Sequence, residues 1–133
     1  MVAHDLLHPQ GWRPALGYSN GVAASGRMLF VAGMVGWNAE QEFESDDFVE
    51  QAAQALRNIV TVLAEGGAGP EHLVRLTWYV TSRDEYVASQ RGLGGVYREI
   101  VGKHFPAMTL VQVVALVEPR AKVEIEATAV VPL

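Results

Sequence analysis

A chain of 133 residues, half of them apolar and 19% charged, has the size of a single domain and is excluded from the disordered class. Its ten basic residues are scattered and its net charge is −5, which argues against strong nucleic-acid binding. The absence of cysteine removes disulfides, thiolate metal sites and a cysteine nucleophile together.

The opening residues, Met1-Val2-Ala3-His4-Asp5, lack the basic and apolar stretches of a signal peptide. The longest apolar run falls far short of the ~20 residues a membrane span requires. A cytoplasmic address without membrane contact is therefore expected. Residues 1–16 read as irregular, broken by Pro9, Gly11 and Pro14. Val22-Ala23-Ala24 and Met28 to Ala32, around Ser25-Gly26, predict a β-hairpin. A polar loop over 37–46 then leads into Ser45-Asp46-Asp47, which are good helix caps. Phe48, Ala52, Ala55, Leu56, Ile59, Val62 and Leu63 follow as one helical stripe, closed by Gly66-Gly67.

Leu73 to Val80 alternates as a strand, with Val74, Leu76, Trp78 and Val80 on one face and Arg75, Thr77 and Tyr79 on the other. Asp84 is placed to cap a second helix running to Val101 and interrupted by Gly92, Gly94 and Gly95. Ala107 to Val117 reads as a strand apolar on both faces save Gln112. Glu118-Pro119-Arg120-Ala121 reads as a hairpin turn into a final strand, Lys122 to Val131. The order β-β-α-β-α-β-β predicts one two-layer α+β domain over 1–133, with helices covering one face of the sheet. The other face then needs a cover, for which self-association is the economical solution.

His4, His8, His72 and His104 fall in loops and at element ends without ligand spacing, so they are expected as solvated residues and no metal site is foreseen. No G-x-S-x-G elbow or phosphate loop is present. Glu124 and Glu126 share a strand face. Either they are solvated or paired with Lys122, or one is partly buried, hydrogen-bonded and able to orient a water. Trp37, Trp78 and Tyr79 read as core or interface rather than as a ligand cage.

Gly17-Tyr18-Ser19-Asn20-Gly21, Val31-Ala32-Gly33-Met34, the helix before Gly66-Gly67, Phe105-Pro106-Ala107 and Val123-Glu124-Ile125-Glu126-Ala127 together resemble the RidA family, also called YjgF. The likeness runs in order along nearly the whole chain. It implies a chorismate-mutase-like fold, a homotrimer around a central sheet barrel, and small-molecule clefts between subunits. In the active branch those clefts hydrolyse enamines and imines such as 2-aminoacrylate, with no metal or organic cofactor.

Carried over by position, Tyr18 matches the cleft tyrosine, and Ala32 and Gly33 match a Ser-Gly segment whose hydroxyl is lost here. Gln90 falls near a cleft asparagine, and Glu124 matches the glutamate that positions the attacking water. The family's Pro-Ala-Arg-Ser reads Pro106-Ala107-Met108-Thr109, so the carboxylate-binding arginine is replaced by Met108. A thioether offers neither charge nor donor. An unpaired substrate carboxylate loses roughly a hundredfold in affinity. Efficient 2-aminoacrylate deamination is thus not expected unless Arg75, Arg91 or Arg120 compensates. Three readings stay open: hydrolysis of another imine or enamine, a non-catalytic metabolite-binding or regulatory trimer, and the ribonuclease activity described for some relatives.

Overall fold

The computed structural model describes residues 4–133, so the part of the N-terminal reading that falls on Met1 to Ala3 lies outside the described residues. In chain order the elements are β1 (Asp5–Leu7), β2 (Gly21–Ala23), β3 (Arg27–Val35), α1 (Phe48–Glu65), a 3-10 turn (Pro70–His72), β4 (Leu73–Val80), α2 (Arg83–Ala88), α3 (Gln90–Ile100), β5 (Ala107–Gln112) and β6 (Val123–Val131). The main sheet has the order β3-β6-β4-β5, and β1 and β2 form a separate antiparallel pair. β6 is antiparallel to both its neighbours, whereas β4 and β5 are parallel and joined through α2 and α3. The mixed sheet, with its helices packed on one face, is the α+β arrangement foreseen.

α1 forms where its periodicity placed it. Asp47 Oδ2 accepts from the Glu50 N–H at 3.0 Å, and Phe48, Ala52, Ala55, Leu56, Ile59 and Leu63 are buried. They meet the inward residues of β6 (Val123, Ile125, Ala127 and Ala129) and of β4 (Leu73, Leu76, Trp78 and Val80) in one core. Burying such apolar surface, at about 25 cal/mol per Å², is the dominant favourable term. Val62, placed in the same stripe by spacing, is exposed instead.

Several connections differ from the expected ones. The segment expected to be irregular contains β1, and β2 pairs with β1 rather than forming a hairpin with β3. Gly26 lies between them at φ 147°, and a Cβ there would sit 2.1 Å from the Val131 carbonyl oxygen. The chain is thus drawn onto β6, and seven residues of β3 pair there in a longer ladder than the three-residue β2 could supply. The stretch 107–117 is strand only to Gln112, and Val114 and Val117 are fully exposed. Because β4 intervenes between β5 and β6, the Glu118–Ala121 turn is not a hairpin.

A register shift between Leu73 and Arg75 buries Leu73, not Val74. The second helix is two, broken at Ser89. Its start is capped by Ser82 rather than Asp84, through Ser82 Oγ and the Glu85 N–H at 3.1 Å. Gln112 explains its polarity here, since its Oε1 accepts from the Arg83 N–H at 2.6 Å.

One core residue went unnoticed in the pattern. Gln51, 1% exposed, donates from Nε2 to the carbonyls of Ser45 and Arg120, both at 3.0 Å, and accepts at Oε1 from the Lys122 N–H at 2.8 Å. It joins α1 to the long connection before β6 and satisfies backbone groups that no ladder reaches. Gln51→Leu should lower unfolding free energy by about 2–4 kcal/mol, because those groups lose partners. Urea unfolding beside a control at the exposed helix position Arg57, Arg57→Leu, checks it, and equal small losses in both would contradict it.

Candidate functional site

Two motifs far apart in sequence are clipped together at the start of β5. The Ser19 N–H donates to the Pro106 carbonyl at 3.0 Å, the Ser19 hydroxyl donates to the Phe105 carbonyl, and Ser19 bridges Ala107 in parallel. This holds Gly17 and Tyr18 beside the strand that carries Met108. The Tyr97 hydroxyl donates to the His104 carbonyl at 2.6 Å, and its ring stacks on Phe105 with centroids 5.4 Å apart. α3 is thereby fixed opposite the same strand.

Between them lies a cavity of about 380 Å³. Its floor is Leu76, Trp78 and Met108 from β4 and β5. Its outer wall is one face of α3, where Gln90, Leu93, Gly94, Tyr97 and Arg98 recur at helical spacing. Gly17 stands at the edge, while Tyr18 turns to a neighbouring hollow with Leu6, Leu7 and His8. Burial pushes the Tyr97 phenol above its ordinary value, so it stays a neutral donor.

Glu124 is elsewhere. Along β4, Leu76 registers with Met108 and Tyr79 with Glu124, in ladders continuous over those positions. Leu76 and Tyr79 are three residues apart and so point to opposite faces. Met108 therefore faces the helices and Glu124 the open side of the sheet.

The Glu124 carboxylate rests on Gly33, where a Cβ would come within 2.0 Å of Oε2. Ala32 and Gly33 are both exposed at a register shift in β3, between Val31 and Met34. The expected residues thus fall into two groups. Gln90 and Met108 share the cavity with Tyr18 adjoining, and Ala32, Gly33 and Glu124 share the open face.

The two glutamates on that face are not equivalent. Tyr79 Oη donates to Glu126 Oε1 at 2.7 Å. This hydrogen bond first, then desolvation and the charges of Glu126 and Glu124, holds the Tyr79 phenol above its ordinary value. Lys122 pairs with Glu85 at 3.3 Å rather than with either of them. Phe30, 73% exposed, Met28 and Val111 leave apolar surface on the open side.

The arginines proposed as substitutes for the missing anchor do not reach Met108. Arg120 is held by Asp46 Oδ1 at 2.8 Å and lies over the Phe43 ring. Arg75 borders a hollow on the open face with Glu126, and Arg91 is absent from the cavity wall. Arg98, overlooked in the sequence, is the cation on that wall. Its helical offset of eight from Gln90 could have indicated it.

The histidines correct the expectation of four solvated residues. His4 is buried against the His72 carbonyl at 3.3 Å, and His104 Nε2 donates to the Leu73 carbonyl at 2.8 Å. Among the described residues no group of three or more His, Asp or Glu side chains is placed to hold a metal ion. Nor is any helix there long and apolar enough to cross a membrane.

Residues 10–131 match the family model described as endoribonuclease L-PSP. Protein DfrA of Myxococcus xanthus is 34% identical over 97% of each chain. The 2-iminobutanoate/2-iminopropanoate deaminase of Capra hircus is 32% identical over 85% of this chain and 79% of its own. A Yersinia pestis protein of the conserved Rid family, YyfB, superposes with a TM-score of 0.85 at 33% identity, covering 98% of this chain and 100% of that one. The arrangement of strands, the two clipped motifs and these likenesses agree: the chain belongs to the Rid (YjgF) family.

Proposed function

We propose that three copies assemble through their open sheet faces and that the clefts between them hydrolyse an imine or enamine. Each cleft combines the Met108 cavity of one subunit with Glu124 and Gly33 of the next. The observation that carries this reading is the Glu124 carboxylate, seated against an exposed glycine backbone while its neighbour Glu126 is occupied by Tyr79. The exposed Phe30, Met28 and Val111 around that face support an apolar contact between copies. The goat relative, described as a 2-iminobutanoate/2-iminopropanoate deaminase, supports the reaction class.

In this mechanism water adds to the C=N carbon as Glu124 accepts its proton. The Gly33 N–H and the Tyr18 hydroxyl orient the ligand, with Ala32, Gln90 and Met108 shaping the cleft. Glu124 then passes that proton to the carbinolamine nitrogen and takes up the hydroxyl proton as the C–N bond breaks, and a carbonyl compound and ammonia leave. No cofactor takes part in this balance. The absence of an arginine at 108 leaves a three-carbon imino acid without its usual anchor. A non-catalytic binding trimer would use the same cleft without turnover.

Light scattering should give the mass of three chains, and a stable monomer would end this account. With imines generated in situ by an amino-acid oxidase, Glu124→Gln should slow turnover by about 10²-fold or more. Gly33→Ala, whose methyl group would displace that carboxylate, should impair turnover similarly with little change in melting temperature. Glu126→Gln should keep most of the rate. It should also let one tyrosine ionise at lower pH in a titration followed at 295 nm, because the negative acceptor that stabilises the protonated phenol is gone. Equal rates for Glu124→Gln and the parent protein would refute the assigned base.

A further inference from the structure

The arginine missing from the cavity floor has a counterpart on its wall. The face of α3 that lines the cavity is apolar at Leu93 and Tyr97 and ends in a polar side chain on each side, Gln90 and Arg98. Arg98 is exposed on that face, and helical side chains are directed toward the N-terminus, where the residue four positions before it carries no side chain. That residue is Gly94, and nothing lies within 4 Å of where its Cβ would stand.

A long cationic side chain therefore has open space at the cavity mouth. Its guanidinium has no ion-pair partner among the described residues, whose salt bridges join His72 to Glu71, Arg83 to Asp84, Arg120 to Asp46 and Lys122 to Glu85. The Tyr97 hydroxyl is already committed to the His104 carbonyl. Arg98 is thus the charged donor left on this wall.

We propose that Arg98 anchors the carboxylate of an organic acid whose bulky apolar group enters the cavity and packs on Met108 and Trp78. This rests on the ligand cleft placed above and names its substrate class: 2-imino acids with large apolar or aromatic side chains. The ligand is turned around relative to one anchored at position 108. The charge stays at the solvent-facing mouth, and the apolar group takes the floor where Met108 replaces a cation. A cavity of about 380 Å³ has the volume of a small-molecule site, far more than a methyl-sized side chain fills. A guanidinium at the mouth pays little desolvation and still offers two parallel donors to a carboxylate.

Inert probes separate this from catalysis. Calorimetry on the purified assembly would compare 3-phenylpropionate with its neutral amide and with propionate. The phenyl acid should bind at least about tenfold tighter than either, since it alone combines charge and apolar bulk. Arg98→Met, which keeps the length of an exposed helix position, should cost the acid about tenfold or more and leave the amide within about twofold. Arg98→Gln should do the same, and Arg98→Lys should fall between.

Unchanged affinity for the acid in Arg98→Met and Arg98→Gln would overturn the proposal. So would equal binding of acid and amide, or no binding of the acid at millimolar concentration. Imine turnover that ignores Arg98 would sink this inference and spare the hydrolase reading. Charge-dependent binding without any turnover would do the reverse.

Discussion

Side-chain alternation along β4, β5 and β6 is the constraint on which the candidate site depends. β4 registers with both neighbours at once, carrying Met108 beside Leu76 and Glu124 beside Tyr79. An offset of three residues on a strand fixes opposite faces, and no rotamer can bring such side chains round a buried sheet. The cavity under the helices and the carboxylate on the open face therefore cannot meet within one chain. In the proposed assembly, a second copy is what turns two half-sites into one. Under that proposal the same geometry gives self-association a chemical purpose beyond covering Phe30 and its apolar neighbours.

The open face is neither a plain hydrophobic patch nor a solvated one. Glu124, Glu126, Thr77 and Thr128 lie among Phe30, Met28 and Val111, and Tyr79 bonds across to Glu126. Burying two carboxylates side by side is costly unless one is satisfied. The phenol satisfies Glu126 and leaves Glu124 as the acceptor still available. Two residues of identical chemistry on one strand thus acquire different capacities from one cross-strand hydrogen bond.

Much of this was legible in the sequence where one physical rule dominated. α1 follows from its apolar period and Asp47, and the inward row of β6 follows from strict alternation. Strand partners were not legible, because local turn signals compete with longer ladders. Gly26 looks like a hairpin turn, yet the Val131 carbonyl fills the space beside it and commits β3 to β6. Val74 was placed by simple alternation, which a register shift overrides. Arg98 was not legible because its place on the cavity wall follows from the projection of α3 and not from its distance along the chain to Met108. Gln90 and Arg98 come onto one cavity wall only through the helical period.

The departures at positions 32 and 108 are then coherent with what remains. In the proposed cleft Ala32 offers no hydroxyl and Met108 no guanidinium, so neither position supplies polar recognition. The Glu124–Gly33 contact is untouched by either change, since a carboxylate needs only an open backbone to stand against. An interior that cannot stabilise charge favours ligands that put apolar mass there and keep their charge near water. Leu76, Trp78, Leu93 and Met108 supply such an interior, and the mouth beside Gly94 supplies the space and the cation. In the proposed hydrolase the place where the substrate is held and the place where water is activated are thus separable within one fold. On that reading selectivity can drift along α3 and β5 while the chemistry on β6 stays fixed.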